Sequence, residues 1–192
     1  MNKSNRILLI LGVLLVLLSA GGFLVSNLYA GWAGENAEIV ASQIRDLLPA
    51  RTVGVQEPYT NPQMPVLQFD GKDYVCLVEV PAYGVSLPVR NEWKAGSLLQ
   101  NPCRFWGSSY DGTLILGGSN QQGQFDFCGR VDLGDRITVT DMEGAVFTYA
   151  VERIDRSKTA DFDRLSQGEY SLTLFTQEPY SAYYIIVRCN AG

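Results

Sequence analysis

The sequence predicts a mainly β domain of about seven or eight short strands, closed as a barrel or stacked as a sandwich, behind an N-terminal membrane-spanning helix. Three observations carry this. An uncharged run from Ile7 to Val25, rich in Leu, Ile and Val, opens the chain. Four of the eight prolines (Pro49, Pro58, Pro62 and Pro65) then fall within residues 49–65. After residue 66 short β-prone runs alternate with turn residues to the end of the 192-residue chain.

Taken in order, the apolar run has nineteen residues. At 1.5 Å rise per residue that length suits a hydrocarbon layer of about 30 Å. Lys3 and Arg6 precede the run and no acid does. The basic flank predicts a cytoplasmic N-terminus, an exported remainder and a single-pass position in the plasma membrane. A cleaved signal peptide is the competing reading, with Leu28-Tyr29-Ala30 as its cleavage site, but its apolar core normally spans about 7–15 residues. Residues 1–31 are therefore assigned to a cytoplasmic stub and anchor.

From Glu35 to Leu48, Ala37, Val40, Ile44, Leu47 and Leu48 recur at helical spacing. This predicts a short amphipathic helix stopped by Pro49 and packed by one face on the domain. The prolines that follow fix φ and remove donors, so residues 32–65 read as a helical, proline-rich arm. Residues 66–192 form the β domain. Its predicted strands are Tyr74–Val80, Gly84–Val89, Thr113–Leu116, Arg136–Asp141, Phe147–Ile154, Ser171–Thr176 and Tyr183–Cys189. Asp141–Gly144 reads as a hairpin loop and Asp161–Ser166 as one helical turn.

Composition excludes some chemistry. Beyond Lys3 and Arg6, thirteen Lys and Arg stand against twenty Asp and Glu, a net charge of −7. This argues against a nucleic-acid partner, which needs a basic face for phosphates. The chain has no histidine, and Cys76, Cys103, Cys128 and Cys189 show no CxxC spacing, so no zinc site and no other cofactor is expected. The four cysteines fall in the exported part, where they can pair in three ways or remain free thiols; one pairing, Cys103–Cys189, would clip the last strand to the domain.

Three segments resemble one family. Val80–Val89 is similar to the second-strand region of sortases, the cell-wall cysteine transpeptidases of Gram-positive bacteria. Thr113–Leu116 followed by Gly117-Gly118-Ser119-Asn120 resembles the sortase strand that ends in Ala-Gly-His-Asn. Leu172–Gln177 resembles Leu-Thr-Leu-x-Thr-Cys, and Gly123–Phe127 and Leu133–Ile137 match the segments between. The likeness runs over residues 74–189.

The resemblance implies an eight-stranded β-barrel with a groove for an extended sorting signal. In active members a cysteine attacks the signal's carbonyl, a histidine protonates the leaving amine and an arginine stabilises the oxyanion. Here the cysteine position is Gln177, the histidine position Ser119 and the arginine position Tyr184, with Arg188 as the alternative for the arginine role. An amide is no nucleophile, and serine titrates nowhere near neutrality. Ser119 and Thr176 carry hydroxyls, but Lys72, Lys94 and Lys158 match no base position. The expectation is a membrane-anchored pseudoenzyme at the cell surface. Ser119, Gln177 and Tyr184 would bind a sorting-signal peptide, a pilin or a partner sortase. Tyr180, Tyr183 and Tyr184 cluster there as groove or packing residues. The alternative is an active transpeptidase or hydrolase with a relocated nucleophile, for which Cys128 is the candidate.

Overall fold

The computed structural model describes residues 3–50, 52–53, 63–93 and 101–192. The greater part of the proline-rich arm, residues 54–62, and Lys94 lie outside the described residues. So do the side chains of Lys3 and Arg6.

The first element corrects the expectation of two separate helices. One α-helix, α1, runs from Lys3 to Leu47, through both the apolar run and the amphipathic segment. No strong breaker separates the two, and Pro49 ends the helix because it disfavours helical geometry in the residue before it. The side chains described over residues 10–23 are exposed. Among the described residues no helix is long and apolar enough to cross a membrane. The C-terminal end of α1 docks on the barrel as its spacing predicts. Ala41 and Ile44 are buried with Tyr74, Leu77 and Met142. Arg45 Nη2 donates to Glu79 Oε1 at 2.8 Å and Ser86 Oγ at 2.5 Å.

Ten strands follow: β1 Thr52–Val53, β2 Leu67–Phe69, β3 Lys72–Val80, β4 Val85–Arg90, β5 Cys103–Trp106, β6 Leu114–Gly117, β7 Arg136–Asp141, β8 Ala145–Ser157, β9 Leu172–Gln177 and β10 Tyr184–Ala191. Eight of them close a barrel in the order β8-β10-β9-β6-β5-β4-β3-β7, with β7 pairing back to β8. This resolves the barrel-or-sandwich ambiguity. β1 adds in parallel to β8, and β2 pairs with β3. The seven strands expected from sequence are all present, each within a few residues of its expected ends. β1, β2 and β5 were not expected.

Side-chain alternation decides what each strand covers. Along β3, Cys76, Val78 and Val80 point into the barrel, while Leu77 faces α1. Val139, Val151, Leu174 and Val187 fill the same interior from other strands. On the outside, Ile115, Phe175 and Ile186 are covered by Leu165 of α2, a single turn at Phe162–Leu165 within the expected Asp161–Ser166 segment. Its N-cap is Asp161, whose carboxylate accepts from Arg164 N.

The Asp141–Gly144 loop joins β7 to β8 as expected. Asp141 Oδ1 accepts from Glu143 N and Ala145 N at 2.9 and 2.8 Å. All four cysteines are free and buried. The Cys103–Cys189 pairing does not form, and register explains why. Cys103 lies on β5 and Cys189 on β10, with β6 and β9 between them. Three strand spacings amount to roughly 14 Å along the sheet, beyond disulfide reach.

Candidate functional site

Two parallel strands set the geometry of the cleft that holds the motif positions. β6 and β9 pair in register, Gly117 with Phe175, and Gly118 N carries the ladder one step further to Phe175 O at 3.1 Å. Continuing that register sets Ser119 beside Gln177. On the other side of β9, Gln177 and Tyr184 are direct antiparallel partners. Side by side, the ends of β6 and β9 and the start of β10 thus bring Ser119, Gln177 and Tyr184 into the lining of one cleft of about 820 Å³.

The glycine pair before Ser119 has a packing cause. A Cβ at Gly117 would sit 2.4 Å from Trp93 Cζ3 and 2.5 Å from Phe175 Cζ; at Gly118 it would sit 2.5 Å from the Phe125 ring. Only glycine lets these rings close on the backbone. Trp93 and Phe175 then stack at 5.4 Å between centroids, with Phe105 edge-on to both, and form one wall of the cleft. Ala160, from the β8–β9 connection, also lines the cleft.

The rim is the β9–β10 turn, held by several bonds. Glu178 N donates to Tyr183 O at 2.8 Å, and Tyr183 N to Ser181 Oγ at 3.1 Å. Gln177 Nε2 donates to Ser181 O at 3.0 Å, so half of its amide serves the turn. Arg156 grips Glu178 with two bonds of 2.6 Å and lies 4.2 Å over the Tyr183 ring. The Arg156 guanidinium holds the Glu178 carboxyl below its usual range. At the tip Tyr180 takes φ +56° and is fully exposed, an uncommon conformation for an aromatic residue. Of the tyrosine cluster, Tyr180 and Tyr184 line the cleft, while Tyr183 carries the cation pair of Arg156 and Lys158.

Arg188 is not in this cleft. It shares the outer face of β10 with Tyr184, but four residues along a strand is about 13 Å. Its buried guanidinium, 1% exposed, donates from Nη1 to Leu165 O and Thr173 Oγ1, and from Nη2 to Arg164 O at 2.6 Å. Asp155 lies 3.5 Å from its Nε. These partners make Arg188 a brace that ties α2 to β8, β9 and β10.

Neither are the thiols in the cleft. Cys128 sits in the barrel core, 1% exposed, where burial pushes its thiol well above the ordinary range. Burial likewise pushes Cys189 up to about 12. Thr176 borders the cleft, but its hydroxyl is buried without a hydrogen-bond partner on the face of β9 opposite Gln177. Its hydroxyl side chain was read from sequence, whereas the aromatic wall was not. Phe175 occupies the variable position of its motif, and Trp93 reaches the cleft from the distant β4–β5 connection. Among the described residues no cluster of metal-ligating side chains occurs.

Comparison with known proteins agrees with this geometry. The Sortase domain model matches residues 78–191. Sortase A from Corynebacterium diphtheriae superposes with a TM-score of 0.55 at 17% identity, covering 85% of this chain and 84% of that one. Sortase C1 from Streptococcus agalactiae gives 0.51 at 23% identity, over 60% of this chain and 66% of its own. Clostridium perfringens sortase C, solved with the C-terminal cell wall sorting motif, gives 0.52 at 19%, over 60% and 69%. No curated protein matches. With the family model spanning more than half of the chain, the chain belongs to the sortase family.

Proposed function

We propose that this chain is a membrane-anchored, extracytoplasmic pseudoenzyme that holds a peptide in the sortase cleft without cutting it. The peptide is a sorting signal, or an extended segment of a pilin or of a partner sortase. One observation carries the reading: the residue at the nucleophile position, Gln177, lines the cleft with an amide already bonded to Ser181 O. No thiol lines the cleft with it. Gln177 Oε1 and the Tyr184 phenol offer hydrogen bonds to a peptide backbone, and Trp93, Phe175 and Tyr180 offer apolar walls.

The reading with a relocated nucleophile is less well supported. Cys128 is closed in the core with a raised pKa, the opposite of an activated thiol. A hydroxyl at Ser119 or Thr176 would need a base, and the chain has no histidine. For the anchor, support comes from the Ile7–Val25 run, from Lys3 and Arg6 before it, and from the exposed apolar side chains on α1. The test is a sorting-signal peptide bearing a thiol- or hydroxyl-directed trap. The binding reading expects no covalent mass on the full-length protein; an adduct at Cys128, Ser119 or Thr176 would replace it with an enzyme.

A further inference from the structure

Among the described residues two that are not glycine take positive φ, Asp70 at +49° and Tyr180 at +56°. Asp70 sits in the hairpin between β2 and β3, and aspartate tolerates the left-handed region because its short carboxylate bonds locally. Tyrosine has no comparable means. Tyr180 holds the third position of the turn Glu178-Pro179-Tyr180-Ser181, which Ser181 N closes by donating to Glu178 O at 3.3 Å. Proline second and a positive φ third make this a type II turn, whose third position ordinarily takes glycine or asparagine. A Cβ there crowds the following carbonyl oxygen. Packing does not offset that cost, because the Tyr180 side chain is fully exposed.

The surroundings nevertheless hold the turn. Gln177 Nε2 ties one side to Ser181 O at 3.0 Å, Glu178 N donates to Tyr183 O at 2.8 Å, and Arg156 grips the Glu178 carboxylate with two bonds of 2.6 Å. A conformation that costs stability, is fixed from several directions and stands at the rim of a cleft has the pattern of a functional residue.

Its placement says what the ring meets. The sheet order β6, β9, β10 leaves Gln177 between Trp93, whose ring lies against Gly117 of β6, and Tyr180, on the turn into β10. A chain lying over Gln177 has an aromatic ring on either side. Among the described residues Glu178 is the one charged side chain that lines the cleft, and Arg156 matches its charge.

We propose that Tyr180 is a specificity-determining residue of the cleft: its exposed ring packs on an apolar side chain of the bound peptide, across from Trp93, and the strained turn is kept for that contact. This rests on the reading of the cleft as a peptide site.

The experiment measures urea unfolding and peptide affinity of the full-length protein in detergent micelles, for the unaltered chain, Tyr180→Gly and Tyr180→Phe. Two peptides are titrated, a capped sorting-signal peptide and the same peptide with its apolar residues replaced by serine. Tyr180→Gly should raise the ratio of folded to unfolded protein about threefold, because glycine suits the turn. It should bind the sorting-signal peptide at least about fivefold more weakly. Tyr180→Phe keeps ring and strain and should bind within about twofold of the unaltered protein. Toward the serine peptide the glycine variant and the unaltered protein should differ by less than about twofold, which isolates the contact between ring and apolar side chain. Binding of neither peptide by the unaltered protein would remove the peptide cleft, and this role with it. Where the unaltered protein does bind, the role of Tyr180 alone is overturned by any of four results: undiminished binding by Tyr180→Gly, an equal loss for both peptides, a phenylalanine variant as weak as the glycine one, or a glycine variant no more stable than the unaltered chain.

Discussion

Replacing Arg188 by methionine separates a brace from a remnant of catalysis. The guanidinium is buried and serves four partners: the α2 carbonyls of Leu165 and Arg164, Thr173 Oγ1 and Asp155. Methionine fills much of the volume but leaves the Leu165 carbonyl and the Thr173 hydroxyl unpaired in the interior, at about 1–3 kcal/mol for each such group. Asp155 is less affected, because Arg153 Nε holds its other oxygen at 2.7 Å. Burial of the charge itself has a cost, visible in the lowered Arg188 pKa, which desolvation dominates and Asp155 opposes. The net is a loss of about 3 kcal/mol, a large share of the ~5–15 kcal/mol that holds a typical domain. Arg188→Lys should recover less than half of it, since an ammonium cannot reach both carbonyls and Thr173 at once. Urea unfolding followed by tryptophan fluorescence gives the loss, with an unchanged slope if the transition stays two-state. Hydrogen exchange at Leu165 and Ser166, whose amides close the α2 turn on Asp161 and Phe162, should speed up in both variants. A loss under about 1 kcal/mol with α2 exchange unchanged would refute the brace.

Other outcomes follow from the same geometry. Ser119→His, Gln177→Cys and Tyr184→Arg together should restore measurable cleavage of a sorting-signal peptide, read by mass spectrometry; a folded triple variant with none would mean that the cleft has lost more than its three reactive positions. The four thiols should resist iodoacetamide in the native protein and react only after denaturation, because all four are buried. Rapid labelling of any one of them in the native state would contradict the packing. The Glu178 pKa is depressed by Arg156, so the contribution of this pair is present above the ordinary value of 4.5 and is lost as pH falls through the lowered folded value. The Tyr183 amide signal should therefore be constant at neutral pH and shift only in that acidic window.

Much of the fold was legible because strand alternation and turn chemistry agree. Along β8, Tyr149 and Val151 are buried, as the period of two demands. β2 was missed although its signal was present: Asp70-Gly71 follows Leu67–Phe69, and both turn residues take positive φ, +49° and +66°, as a two-residue hairpin requires. β5 gave less to read. Cys103–Trp106 mixes burial on both faces with a bulge, so no clean alternation exists. The continuity of α1 from the N-terminal apolar run to the barrel was hidden because two different apolar patterns meet in one helix, and composition changes there without a breaking residue. For the cleft, the three positions, just past β6, at the end of β9 and at the start of β10, come from motif order, which strand pairing turns into proximity. The placement of Arg188 was beyond the motif, since strand periodicity gives the face of a side chain but not what covers that face.

The cleft of Ser119, Gln177 and Tyr184 is proposed to receive a peptide and leave it whole. The most direct measurement is an NMR titration of the full-length protein with sorting-signal peptides, each sample weighed by mass spectrometry before and after. Binding without cleavage should give shifts that centre on Ser119, Thr176, Gln177 and Tyr184, with every peptide and protein mass unchanged. A cleaved peptide or a covalent adduct would contradict the pseudoenzyme, and an absence of shifts at millimolar peptide would contradict the peptide cleft.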